Sequence, residues 1–146
     1  MNQPEAATLA EIGRMDLRTS RSGETATATL LRALGLQYRY QPARLAIAKS
    51  LGIASQPAPV ENLDGKSIRG ETLFGQNAAE LSMWTSLIIA HSGRRPLTRR
   101  DVHELVAAHW ARGAGLLWDG LRDADSPAEA LAAQLIRPVG RRGTTK

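Results

Sequence analysis

Residues 76–93 read QNAAELSMWTSLIIAHSG, and this segment is apolar around most of a helical circumference. It carries two apolar stripes at helical spacing. The stripes are Leu81, Trp84 and Ile88 on one side, and Met83, Leu87 and Ala90 on the other. A helix that is apolar on both sides lies in the centre of a core or is shared with another subunit. The segment therefore predicts a central helix that also joins subunits.

Two earlier segments have helical patterns as well. Residues 22–35, SGETATATLLRALG, end at Gly35, and residues 38–52, YRYQPARLAIAKSLG, place Pro42 at an expected first helical position. Apolar residues line one face of each segment. They are Ala26, Leu30, Ala33 and Leu34 in the first segment, and Leu45, Ala48 and Leu51 in the second.

Two later segments begin with recognisable N-caps. Within residues 94–118, Thr98 is followed three residues later by Asp101, which predicts a capping box. Residues 126–136, SPAEALAAQLI, begin with Ser126 as the predicted cap of a further helix.

The pattern of the whole chain predicts an all-α fold. No run alternates with period two, and residues 55–71, with two prolines and two glycines, predict a long exposed loop. We expect a small compact helical domain of four to five helices that forms oligomers. Its expected divisions are a polar N-terminal arm (1–20), the helical domain (21–136) and a basic disordered tail (137–146).

The charge balance favours a polyanionic partner. The chain has a net charge of +5 and a pI near 10.4, and arginine supplies 16 of its 19 cations. There is no cysteine, which excludes disulfides, thiolate metal sites and iron–sulfur clusters. The N-terminus does not resemble a signal peptide, and no apolar run would span a membrane. We therefore expect a soluble cytoplasmic protein.

Cationic side chains along the chain are the candidate contacts to DNA phosphates. They are Arg14, Arg18, Arg21, Arg32, Arg39, Arg44, Lys66, Arg69, Arg94, Arg95, Arg99 and Arg100. The first three would share one face if residues 14–21 were helical. The last four surround the N-cap of a helix, where each cation costs about 0.3–1 kcal/mol against the helix dipole. Phosphate binding would offset that cost, and neutralisation by Asp101 and Glu104 is the alternative.

Two further features could contact a phosphate or a base. Tyr38 and Tyr40 alternate with Arg39, so they either hydrogen-bond phosphate and stack on an exposed base, or simply edge the core. Lys66 and Arg69 lie in a glycine-flanked loop before a helix, which suits an anion. The loop lacks the spacing of a nucleotide-hydrolysing phosphate loop.

We find no pattern for catalysis, a metal or a cofactor. His103 and His109 are six residues apart, which does not suit metal ligands on one helix, and His109 is expected in the core or an interface. No GxSxG motif is present, and the spacing of Asp64, Glu71 and Glu80 is not that of a two-metal nuclease.

The order of motifs resembles the DndE family of DNA sulfur-modification (phosphorothioation) proteins over roughly residues 17–120. The matching pieces are TLLRALGLQYRYQPARLAIAKSLG (29–52), GETLFGQNAAELSMWTSLI (70–88) and HWARGAGLL (109–117). Lysines expected in the family's early basic helix are mostly arginine or absent in this chain. The extension past Gly120 has no counterpart in the resemblance.

The resemblance implies a small helical protein that forms a homotetramer and presents a basic surface to double-stranded DNA, preferably nicked. Its implied partners are a cysteine desulfurase, a sulfurtransferase-like ATP pyrophosphatase and an ATPase, which together replace a non-bridging phosphate oxygen by sulfur. The favoured hypothesis is thus a non-catalytic DNA-binding subunit. The alternatives are an adaptor that assembles the sulfur-transfer complex, a nickase, and a helix-turn-helix regulator.

Overall fold

The computed structural model describes residues 5–136, which are mostly helical, and it confirms the all-α prediction. The predicted basic tail, 137–146, lies outside the described residues, as do residues 1–4 of the predicted arm. The helices are α1 (Leu9–Arg14), α2 (Arg21–Ala33), α3 (Tyr40–Leu51), α4 (Gly70–Phe74), α5 (Ala78–Ser92), α6 (Arg99–Leu121) and α7 (Pro127–Ile136). Strands β1 (Asp16–Leu17) and β2 (Ile68–Arg69) form a short antiparallel pair.

Helix α6 lies at the centre of the domain and packs against α3 and α2. The indole of Trp110 is fully buried, and its N–H donates to Thr27 Oγ1 at 2.8 Å. Gly113 permits close approach to α3, because a Cβ at this position would overlap the carbonyl of Ala46. The sequence pattern had favoured α5 as the central helix, and the structure gives that place to α6.

Helix α5 buries one of its two apolar stripes. Leu81 and Ile88 are buried, whereas Met83 and Leu87 are 52% and 47% exposed. The buried stripe agrees with the prediction. The second stripe has no cover within the described part of the chain, and its role in joining subunits stays a prediction.

The buried face of α3 differs from the predicted one. Ala43, Ala46 and Ile47 are fully buried, whereas Ala48 is exposed. Small residues face α6 because the two backbones approach closely at Gly113. Pro42 is the third residue of α3, since the helix already begins at Tyr40.

Residues 5–20 pack against the rest of the domain. Ile12 and Leu17 are buried, and the buried hydroxyl of Thr19 donates to the carbonyl of Ala107 at 2.8 Å. Helix α1 ends at Arg14, β1 follows, and α2 begins at Arg21. The expected single helical face for Arg14, Arg18 and Arg21 is therefore wrong.

The predicted caps of α6 and α7 are present. The Thr98 hydroxyl accepts from the Asp101 N–H at 3.1 Å, and the Asp101 carboxylate accepts from the Thr98 N–H at 2.9 Å. Ser126 Oγ accepts from the Glu129 N–H at 3.3 Å.

Among the described helices, none is long and apolar enough to cross a bilayer.

Candidate nucleic-acid interface

Four exposed arginines lie in the turn before α6 and in its first residues. We call Arg94, Arg95, Arg99 and Arg100 the α6-terminal cluster. Within the described chain, the first three form no ion pair, while the guanidinium of Arg100 pairs with the Glu104 carboxylate at 3.0 Å. Neutralisation by neighbouring acids, the alternative raised by the sequence, thus reaches only one of the four.

Asp101 does not pair with these arginines, because its carboxylate belongs to the helix cap. The hydrogen bond from the Thr98 N–H lowers the pKa of Asp101, and the nearby charges of Arg94 and Arg100 lower it further. The cap fixes the first turn of α6 and therefore the backbone from which Arg99 and Arg100 project.

Arg14 is a further exposed cation on a different element, at the end of α1. The pKa of Glu11 is lowered mainly by the hydrogen bond from the backbone of Thr8, and the charges of Arg99 and Arg14 lower it further. Arg14 forms no ion pair among the described residues.

A cavity of about 430 Å³ connects α6 with the residues around β1. It is lined by Met15, Leu63, Arg99, Arg100, His103 and Glu104. His103 Nε2 accepts from the Arg18 N–H at 3.1 Å, which joins β1 to α6. Burial lowers the pKa of His103, and the charge of Arg18 lowers it further, so the neutral ring that accepts this hydrogen bond is favoured. No sequence pattern predicts this role for His103.

Three other predicted DNA contacts bind the loop between α3 and β2. Arg18 Nη1 donates to the Gly65 carbonyl at 2.9 Å, and Arg21 pairs with Asp64 at 3.4 Å. Arg39 Nη2 donates to the Lys66 carbonyl at 3.0 Å, and its Nη1 donates to the Ser67 carbonyl at 3.3 Å. We call Arg18, Arg21 and Arg39 the loop-binding arginines.

Arg39 is the most enclosed of the loop-binding arginines. Its side chain is 31% exposed, and its guanidinium pairs with the Glu24 carboxylate of α2 at 2.7 Å. Since the same guanidinium also binds two carbonyls, Arg39 joins α2, the start of α3 and the loop. The Arg39 guanidinium is thus engaged in contacts within the protein. The side chain of Lys66, whose carbonyl accepts one of these hydrogen bonds, is exposed.

Arg44 also makes contacts within the protein that join α3 to α4. Its guanidinium donates to the carbonyls of Leu73 and Thr72 at the end of α4, and it lies 4.5 Å from the centre of the Tyr40 ring. Tyr40 stacks against Tyr38, with ring centres 5.7 Å apart and planes 10° apart.

The remaining predicted contacts are exposed. Arg69 in β2 lies opposite Asp16 and 3.7 Å from the Glu71 carboxylate, a weak, solvent-exposed pair. Arg32 lies on the exposed side of α2 and forms no ion pair with any described residue. The structure thus leaves Arg14 and Arg32 exposed on separate helices and does not join all the predicted cations into one row.

His109 is a core residue, as expected. It is fully buried, its Nδ1 lies 2.8 Å from Ser50 Oγ, and its ring meets that of His91 edge-on at 4.7 Å. Burial, together with the charges of His91 and Arg112, lowers the pKa of His109 to about 4. Arg112, which was not a predicted site residue, donates to the Ser50 carbonyl at 2.9 Å. Its positive charge disfavours protonation of His109.

Each of the three acidic residues considered for a nuclease centre contacts a different partner. Asp64 pairs with Arg21, Glu71 lies near Arg69, and Glu80 accepts from the Asn77 amide. Over residues 5–136, no three His, Cys, Asp or Glu side chains gather as metal ligands.

Curated proteins give no significant match. Residues 16–123 match the family described as DNA sulphur modification protein DndE, which covers the domain from β1 through α6 and stops before α7. The match agrees with the resemblance over residues 17–120 and implies a role in DNA sulfur modification. Because the matched region is most of the chain, this protein belongs to the DndE family.

Proposed function

We propose that this protein is a non-catalytic DNA-binding subunit of the DNA sulfur-modification machinery. It contacts duplex DNA, preferentially nicked, through its phosphates. The observation that carries the proposal is the α6-terminal cluster, in which Arg94, Arg95 and Arg99 are exposed and unpaired within the described chain. Membership of the DndE family supports DNA as the polyanion.

The geometry of the cluster suits a phosphate backbone. Its arginines surround one capped helix end, and Arg14 adds a further cation from α1. A guanidinium group can bind two oxygens of one phosphate with two parallel hydrogen bonds. A DNA backbone presents such phosphates at regular intervals. Since no compact set of Arg, Asn and Gln reads base edges, we expect little sequence preference.

The subunit would act as a homotetramer in the cytoplasm beside the sulfur-transfer and ATPase subunits. Family membership supports involvement with this machinery. The exposed Met83 and Leu87, one turn apart on α5, support a subunit contact at that helix. The lack of cysteine is consistent with a reducing compartment.

Mobility shifts with intact and nicked versions of one duplex test the proposal. Three phosphate contacts per protomer predict about 40-fold weaker binding when salt rises from about 50 to 200 mM. The nicked duplex should bind more tightly at both concentrations. No binding, or binding that does not respond to salt, would refute DNA contact through phosphates.

The second candidate function is an adaptor that assembles the sulfur-transfer complex, with incidental DNA contact. Met83 and Leu87 on α5, and Leu116 at 41% exposure on α6, favour it, since exposed apolar side chains suit a protein partner. A pull-down of the modification subunits after nuclease treatment separates the two functions. The adaptor function is favoured if the Arg94→Glu/Arg99→Glu variant still retains the modification subunits and the Met83→Ser/Leu87→Ser variant does not.

A further inference from the structure

Tyr38 is an exposed aromatic residue on a well-fixed turn. Its side chain is 51% exposed, although a tyrosine that only edges a core would be largely covered. One face of its ring stacks on Tyr40 at 5.7 Å between centres, with the planes nearly parallel. The molecule thus holds two aromatic rings in a short stack at its surface.

The turn that carries Tyr38 is held by Gln41. The side-chain oxygen of Gln41 accepts from the N–H groups of Gln37 and Tyr38, each at 3.0 Å, and the Gln41 N–H donates to the Tyr38 carbonyl. Tyr40 is in turn covered by the guanidinium of Arg44, which is fixed by two carbonyls of α4. Both rings are therefore oriented before any ligand binds.

An open groove of about 440 Å³ lies beside the stack. Its lining includes Tyr38 and Tyr40, the amide of Gln37, the hydroxyl of Thr72 and the guanidinium of Arg69. The groove combines aromatic faces with hydroxyl, amide and guanidinium groups. This combination fits a nucleotide, because a base needs a stacking face and its phosphate needs cationic donors.

The local charges also favour an anionic ligand. Arg39 and Arg69 line the groove, Arg44 covers the Tyr40 ring, and the exposed Lys66 lies in the adjoining loop. Three carboxylates lie nearby: Glu24 pairs with Arg39 at 2.7 Å, Glu71 lies 3.7 Å from Arg69, and Asp16 lies opposite Arg69 in the strand pair. Because the Arg69–Glu71 pair is weak and solvent-exposed, the Arg69 guanidinium is able to exchange it for a phosphate.

We propose that Tyr38, supported by Tyr40, stacks on an unpaired or unstacked base at a break in a DNA strand, with Arg69 and Lys66 beside its phosphate. The inference rests on the proposed DNA binding and identifies the residue that distinguishes nicked from intact duplex. An intact duplex keeps its bases stacked inside the helix, whereas a strand end at a nick can turn its base outward. Phosphate contacts at the α6-terminal cluster remain the same for both substrates.

The experiment uses full-length protein and a duplex with 2-aminopurine at the strand end of a nick. The fluorescence of 2-aminopurine reports stacking directly, and anisotropy gives Kd for nicked and intact duplex. The variants are Tyr38→Ala, Tyr38→Phe, which keeps the ring, and Tyr38→Leu, which keeps apolar volume without a π face. Thermal unfolding checks that each variant folds, and the exposure of Tyr38 predicts little change.

We expect Tyr38→Ala and Tyr38→Leu to lose the fluorescence change and to bind nicked duplex about 5- to 150-fold more weakly, with binding to intact duplex unchanged. Tyr38→Phe should behave as the wild type. Equal nick preference in Tyr38→Ala and wild type, or a loss confined to self-association, overturns the inference and leaves DNA binding standing. If the wild-type protein binds neither duplex, both the inference and the proposed function fail.

Discussion

The loop-binding arginines and the α6-terminal cluster differ in what their guanidinium groups contact. Arg39 is fixed by a carboxylate and two carbonyls, all from the same chain. Arg94 and Arg99 are exposed and form no ion pair with a described residue. Arginine therefore serves two purposes in this protein: where backbone carbonyls lie within reach it holds a loop, and where none does it remains available for a polyanion.

The comparison also explains the position of Lys66. Arg18 after β1, Arg21 at the start of α2 and Arg39 at the start of α3 hold the loop at residues 62–67, so the exposed side chain of Lys66 projects from a fixed backbone. Under the proposed function, these arginines would affect DNA binding indirectly, by placing the loop that carries Lys66.

Reversing the charge of the free arginines should abolish most DNA binding. In Arg94→Glu/Arg95→Glu/Arg99→Glu, three charge-assisted contacts are replaced by repulsion, which predicts at least about 100-fold weaker binding to duplex DNA. Fluorescence anisotropy at fixed salt measures the change. The free energy of unfolding should stay close to wild type, and a large drop in stability instead would place these side chains among the structural arginines.

Removing Arg39 should affect stability more than binding. Arg39→Ala leaves the Glu24 carboxylate and two carbonyls without their donor, which predicts a loss of about 2 kcal/mol in the free energy of unfolding. Chemical denaturation measures the loss. Arg32→Ala, on the exposed side of α2, is the matched control and should change stability by less than about 0.5 kcal/mol. Equal effects of the two substitutions would contradict the distinction.

The buried His109 predicts a pH dependence of stability that is separate from DNA binding. Its folded-state pKa is lowered from 6.5 to about 4, so the unfolded chain binds more protons between these values. Stability is thus fully present above pH 6.5 and falls as the pH drops toward 4, by at most about 1.4 kcal/mol per pH unit. Thermal unfolding of wild type and His109→Gln across this range should show a smaller slope in the variant.

Freeing Arg100 should have the smallest effect. Glu104→Gln removes the carboxylate that pairs with Arg100 on the exposed surface of α6, so one more cation can meet phosphate. We expect about threefold tighter binding to duplex DNA, measured at low salt, and the gain should disappear at high salt. Weaker binding would show that Glu104 supports the cluster rather than competing with DNA.

Much of the fold follows from local sequence rules. The caps at Thr98 and Ser126 and the loop between α3 and β2 were predicted correctly, because they depend on residues close in the chain. The buried face of α3 was not predicted correctly, because it depends on the contact of Ala46 with Gly113, which lies far along the sequence. The central place of α6 likewise depends on which helices meet, and helical periodicity does not contain that information.

The candidate site shows the same division. The α6-terminal cluster was visible because its four arginines flank one short turn. The structural use of Arg18 and Arg39 was not, because their acceptors at residues 65–67 lie many positions away. Charge alone identifies arginines but does not reveal which carbonyls come within reach after folding.

Arginine footprinting with phenylglyoxal and mass spectrometry reports the accessibility of each guanidinium with and without duplex DNA, and it thereby tests which arginines form the proposed interface. We predict that Arg94, Arg95 and Arg99 react readily in the free protein and become protected when DNA is bound. Arg39 should react slowly in both states. Unchanged reactivity of the three cluster arginines on DNA binding, with protection located elsewhere, would contradict the proposed interface.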